Sequence, residues 1–183
     1  MGSKAIDMAE VLNVNQRVLI YHPDKCSGCM LCIMICSFEH CGTFDFKKAS
    51  IRILEDLEQK GKFTAIYCTH CEHPMCEIVC PSAALFKDKK TGIVQINSMK
   101  CVGCKNCMVI CPTSAIWFDL KRGVPFKCDL CDGDPKCVRF CYTHALTLVH
   151  REEAKKRYGI LHGDGEVAYV PEKGGGGRTV LSP

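Results

Sequence analysis

Apolar positions recur along the chain in short bursts, each about the length of one strand. Alternating or β-rich stretches cover residues 17–21, 51–57, 62–67, 92–96, 115–120 and 145–150, and such alternation over four to eight residues reads as a half-buried strand. Turn signals separate several of them, notably Glu58-Gln59-Lys60-Gly61 and Asp88-Lys89-Lys90-Thr91-Gly92. No burst reaches the roughly 18 apolar residues of a membrane-spanning helix. Strands this short do not build a large core, so something besides side chains is expected to hold the chain together.

Four cysteine runs lie between these strands. The first is CSGCMLCIMIC, with Cys26, Cys29, Cys32 and Cys36 separated by two, two and three residues. The third, CVGCKNCMVICP, repeats that spacing with Cys101, Cys104, Cys107 and Cys111, then Pro112. This is the bacterial ferredoxin run, in which three close thiolates hold one 4Fe-4S cubane and the fourth reaches a neighbouring cluster. Two runs are stretched: Cys68, Cys71, Cys76 and Cys80 have four residues in the middle gap, and Cys128, Cys131, Cys137 and Cys141 have five. The runs use sixteen cysteines and leave Cys41, read as a small half-buried residue. A second repeat follows three of them, where CPSAAL, CPTSAI and CYTHAL each open on the fourth ligand.

Composition agrees with metal chemistry. Cysteine supplies 17 of 183 residues, a level that in a short secreted chain would suggest disulfides. The opening MGSKAIDMAEVLNVNQRVLI shows neither an export signal nor a twin-arginine pair, so a cytoplasmic location and metal or redox cysteines are expected. Zinc is the competing metal, but closed zinc sites come as two separated pairs, whereas three thiolates at intervals of three suit a cubane. The formal charge of +4 counts each Cys as neutral. With four clusters at roughly −2 each the holoprotein sits near −4, and no basic patch interleaved with aromatics supports a nucleic-acid partner. Clusters acting as the core also imply that the apoprotein is largely unfolded.

No nucleophile lies beside a base, no phosphate loop appears, and GDGEVA at residues 163–168 lacks the strand and helix of a dinucleotide site. The chain therefore reads as having no catalytic site. Lys25, Lys100 and Lys127 precede the first cysteine of a run and Lys105 lies inside one; they either raise cluster potentials or are solvated surface charges. His70, His73 and His144 lie where an imidazole can donate to a cluster sulfur or simply pack. Residues 151–183 turn charged and then Gly-rich, a composition that supports no core of its own and is expected to dock on a partner.

Four runs in this order, two of them widened, resemble the four-cluster ferredoxin-like subunits of molybdenum and tungsten oxidoreductases, the dimethyl sulfoxide reductase small-subunit type, over residues 17–150. The stretch CSFEHCGTFDFKKASIRI looks like the small subunits of tungsten aldehyde oxidoreductases and tungsten benzoyl-CoA reductases. The resemblance implies an anaerobic setting, an α+β fold of two interlocked ferredoxin units, four 4Fe-4S cofactors, and a catalytic subunit with pterin-bound metal, with a ferredoxin or other electron-transfer subunit as further partner. The expected organisation is an extension at 1–16, one unit from 17–50 with 122–150, an inserted unit at 51–121, and a docking tail at 151–183. The twenty residues between Cys80 and Cys101 suit the link inside one ferredoxin unit, which pairs the second run with the third and the first with the fourth. The expected sites are then Cys26, Cys29, Cys32 and Cys141; Cys128, Cys131, Cys137 and Cys36; Cys68, Cys71, Cys76 and Cys111; and Cys101, Cys104, Cys107 and Cys80. Pairing the third run with the fourth is the alternative, through the 16-residue link from Cys111 to Cys128. The expected function is electron relay; a free-standing polyferredoxin is the rival and a zinc scaffold the third reading.

Overall fold

Residues 16–158 are described in a computed structural model. Eight short strands form four antiparallel pairs. Strand β1 (Arg17–Tyr21) pairs with β8 (Leu146–His150) in a register from Arg17 opposite His150 to Tyr21 opposite Leu146. The other pairs are hairpins: β2 (Ile51–Glu55) with β3 (Phe63–Tyr67), β4 (Leu85–Lys87) with β5 (Val94–Ile96), and β6 (Trp117–Asp119) with β7 (Val124–Phe126). The expected strands are present with trimmed ends. β4 and β7 lie outside the six alternating stretches, and β7 carries Pro125 in its centre, which reads as a strand breaker.

Four helices start inside the cysteine runs: α1 (Leu31–Cys41), α2 (Met75–Ile78), α3 (Asn106–Ile110) and α4 (Lys136–Arg139). In each, the second residue is the third cysteine of its run: Cys32, Cys76, Cys107 or Cys137. Helix α1 outlasts the others and ends at Gly42, whose φ of 64° lets its N–H bond back to the Phe38 carbonyl at 2.8 Å; glycine adopts that left-handed cap without a Cβ penalty.

The larger core gathers Leu19, Tyr21, Ile33, Ile51, Tyr67 and Leu146. Two buried hydroxyls tie the β2–β3 hairpin to β1: Tyr21 Oη donates to the Phe63 carbonyl at 2.7 Å and Tyr67 Oη to the Leu19 carbonyl at 3.2 Å. That hairpin, counted by sequence with the inserted unit, therefore packs into the same core as β1 and β8. A second core of Leu85, Val94, Cys107 and Ile116 lies between the β4–β5 hairpin and α3.

Residues 151–158, read from composition as the start of the tail, form helix α5 (Arg151–Tyr158). It is seated by Ala154, which is fully buried against Val18 and Ile20, while Lys155 Nζ bonds Glu72 at 3.0 Å. Charge in the segment masked this seat, because among residues 151–157 only Arg151 and Ala154 are buried. The rest of the expected tail, GDGEVA and nearly all of the N-terminal extension lie outside the described residues.

Candidate metal centre

Each run bends the same way. The residue before its second cysteine is left-handed in all four: Gly28 (φ 68°), His70 (51°), Gly103 (69°) and Leu130 (58°). Three runs then leave by the same tight turn, with Ala83, Ser114 and His144 at positive φ, each donating its N–H to the carbonyl of the fourth cysteine at 3.0–3.2 Å. Ser82, Thr113 and Thr143 bring hydroxyls to 3.5–3.7 Å from the Sγ of Cys80, Cys111 and Cys141. The repeated CPSAAL, CPTSAI and CYTHAL strings encode this turn, and Ala84, Ala115 and Ala145 after it are buried. The first run differs because α1 continues through Cys36 for another turn. Backbone N–H groups donate to sulfur at Cys36, Cys80, Cys101 and Cys128 over 3.2–3.4 Å.

The thiols gather into groups that mix distant parts of the chain. Burial, with Cys26, Cys29 and Cys141 close by, pushes the Cys32 thiol up to about 12. Burial and the nearby Cys131 push Cys36 up to about 11, while Cys137 is raised by burial and then by Cys36 and Cys131. Cys128 is driven well up by burial and then by Cys137. Burial, with Cys68, Cys111 and Cys71 around it, pushes Cys76 up to about 12, and Cys71 is raised by burial with Cys68 and Cys111 as its thiol neighbours. Cys80, Cys101, Cys104 and Cys107 line one small cavity. Left alone, such buried thiols stay protonated; a bound metal deprotonates its thiol ligands outright, so the donor set fits iron-sulfur clusters.

The groups also lie near one another. Cys137 is close enough to Cys32, and Cys128 to Cys68, for the charge of one to act on the other, while Cys107 shares an apolar cluster with Cys76, Cys80 and Cys111. Cys29 and Cys104 are exposed, whereas Cys36, Cys68 and Cys137 are buried.

Of the basic candidates, Lys25, Lys100 and Lys105 are exposed, and Lys105 lies 4.7 Å from the Phe118 ring centre. Lys127 alone is buried, donating to the Val94 and Cys128 carbonyls. His70 is buried and His73 and His144 are exposed. Cys41 is exposed rather than half-buried, because it ends α1 on its solvent side. Sequence reading passed over His40, whose Nε2 lies 3.7 Å from Cys131 Sγ and 3.5 Å from Asp129 Oδ1. Its signal was helical spacing: Cys32, Cys36 and His40 recur every four residues and share one face of α1.

Residues 59–151 match the family model described as a 4Fe-4S dicluster domain, and residues 23–39 match a 4Fe-4S binding domain. Among curated relatives, the polyferredoxin-like subunit of an aliphatic sulfonate oxidoreductase from Pyrococcus furiosus is 38% identical over 70% of this chain and 74% of its own. The thiosulfate reductase electron transfer subunit PhsB of Salmonella typhi is 29% identical over 77% of this chain and 79% of its own. The beta subunit of an NADH-dependent phenylglyoxylate dehydrogenase from Aromatoleum evansii is 37% identical over 70% of this chain, which spans only 29% of that longer protein.

Proposed function

The chain belongs to the family of 4Fe-4S dicluster-domain proteins, and on that premise we propose that it relays electrons through four 4Fe-4S sites arranged in a row. It is an electron-transfer subunit of an oxidoreductase complex and not the catalytic subunit. Bound cubanes supply one-electron chemistry with no bond made or broken. The protein's own work is to space, bury and tune them.

The observation that carries the reading is the nearness of the thiol groups to one another. The group of Cys26, Cys29, Cys32 and Cys141 meets that of Cys36, Cys128, Cys131 and Cys137 through Cys32 and Cys137. The latter meets Cys68, Cys71, Cys76 and Cys111 through Cys128 and Cys68. The last group, Cys80, Cys101, Cys104 and Cys107, joins through Cys107. Exposed Cys29 and Cys104 put the ends of the row where partners reach it. The β1–β8 pairing, which closes residues 17–50 onto 122–150, supports two interlocked ferredoxin-like units with residues 51–121 as the inserted one. The resemblance of CSFEHCGTFDFKKASIRI to small subunits of tungsten enzymes supports a catalytic partner holding pterin-bound tungsten or molybdenum.

The test is Cys141→Ser in the full chain, followed by EPR and Mössbauer spectroscopy. The reading expects loss or conversion of the cluster at Cys26, Cys29 and Cys32, over one hundred residues away in sequence, with the signal assigned by Cys29→Ser. Damage confined to the cluster of Cys128 and Cys131 would reject the grouping. Co-purification with a pterin-metal subunit is expected from the native host; a chain that purifies alone would favour a free polyferredoxin.

A further inference from the structure

Positive charge is concentrated around one group of thiols. His70, Lys127 and Arg151 are 1%, 7% and 4% exposed, and half-buried Lys87 stands beside them. Arg151 Nη2 donates to the His70 carbonyl at 2.7 Å. Lys87 Nζ donates to the carbonyls of Cys71 and Glu72 at 2.9 and 3.0 Å. Lys127 caps the carbonyls of Val94 and Cys128, and its charge acts on both Cys76 and Cys128.

Their counter-charge is thin. The carboxylates facing Arg151 are Glu72 and Glu152, and those facing Lys87 are Glu72 and Glu77; Glu72 and Glu152 are exposed, and Glu72 is already paired with Lys155. The thiol that Arg151 faces is Cys71. Burying cations without such balance is strongly unfavourable, and the balance at hand is the thiolate group and what it binds.

Three buried donor atoms also lack a partner among the described residues: His70 Nε2, Arg151 Nε and Arg151 Nη1. His70 Nδ1 accepts the Val94 N–H at 3.0 Å, so the ring proton sits on Nε2. His70 Nδ1 also lies 4.0 Å from Cys68 Sγ, and a guanidinium with free donors is matched to anionic sulfur acceptors. The neighbouring group is mixed: Asp129 faces Cys36, and Asp129 and Glu39 face Cys131, alongside Arg52 at Cys36, Lys136 at Cys131 and Lys127 at Cys128.

We propose that the site of Cys68, Cys71, Cys76 and Cys111 is the electron-holding point of the row, raised above the other three by Arg151 and Lys127. The inference rests on the four-site reading above. One electron arrives as one leaves the adjoining site, with no bond formed and no proton taken up; the buried cations stabilise the added negative charge.

The test is an EPR-monitored redox titration of the anaerobic holoprotein, with centres assigned by Cys76→Ser. The most positive midpoint is expected at the centre that Cys76→Ser alters. Arg151→Met or Lys127→Met should shift that midpoint downward by a factor of ten or more in its reduction equilibrium, about 59 mV for one electron, whereas Arg151→Lys should shift it less than threefold. A most positive midpoint at any other centre, or equal midpoints in wild type and the variants that load, would overturn the inference. The wild-type assignment decides the matter even where a variant fails to load iron. Iron content and spectra unchanged by Cys76→Ser would instead mean that no cluster sits there, which overturns the four-site reading itself.

Discussion

At the residue scale, backbone conformation decides whether a run can wrap a cluster. Gly28 and Gly103 hold equivalent places, both left-handed, but their surroundings differ. A Cβ on Gly28 would run into the Phe63 ring, which is packed into the larger core, whereas one on Gly103 would meet the Gly123 carbonyl at 3.2 Å. Left-handed backbone costs any L-residue roughly 1–2 kcal/mol; displacing a packed ring adds to that. Gly28→Ala should therefore lose iron to a chelator several-fold faster than Gly103→Ala, read as bleaching of the cluster absorbance; equal rates would show that Phe63 swings aside freely. Cysteine spacing made the sixteen candidate thiols legible, because ferredoxin ligation is written in steps of three and four residues. Arg151 was not legible as a site residue, because it reaches His70 from 81 residues away with nothing local to mark the contact; His40 reaches Cys131 from 91 residues away, and its four-residue step from Cys36 marks the helix face but not the partner.

At the element scale, the cysteines start the helices and the strands close the loops. Alternation made the β1–β8, β2–β3, β5 and β6 stretches readable, and the short helices α2, α3 and α4 were not, since about one turn of helix around one cysteine carries no period. Helix α5 was hidden by its charges. Its seat is Ala154 against Val18 and Ile20, and the Arg151 N–H also bonds the Gln16 carbonyl at 2.9 Å. The Lys155–Glu72 pair lies at the surface, where such pairs contribute about 0–1 kcal/mol. Ala154→Asp should then unseat the helix, costing on the order of 2 kcal/mol or more for an unpaired buried carboxylate, while Lys155→Ala should barely register. Hydrogen exchange over residues 151–158 checks this: fast exchange is expected in Ala154→Asp only. Comparable loss of protection in both would shift the anchor to the ion pair.

At the scale of the whole molecule, the described residues form four two-stranded sheets and five α-helices, all but α1 short, and the largest core already includes Cys36 and Cys137 with Cys26, Cys32, Cys128 and Cys141 packed on it. Ligand thiols stand where a larger protein would have aliphatic side chains. Removing the metal should collapse that arrangement: chelation under reducing conditions is expected to abolish most strand and helix signal in far-UV circular dichroism, and a chain that keeps its spectrum would show that the small cores suffice alone. Across the surface, no helix among the described residues is long and apolar enough to cross a membrane. The central claim is the presence of four cubanes on sixteen cysteines, and it is tested most directly by counting iron and acid-labile sulfide per chain in anaerobically purified protein. About sixteen of each are expected, four per cubane; about four zinc ions with little iron or sulfide would contradict it.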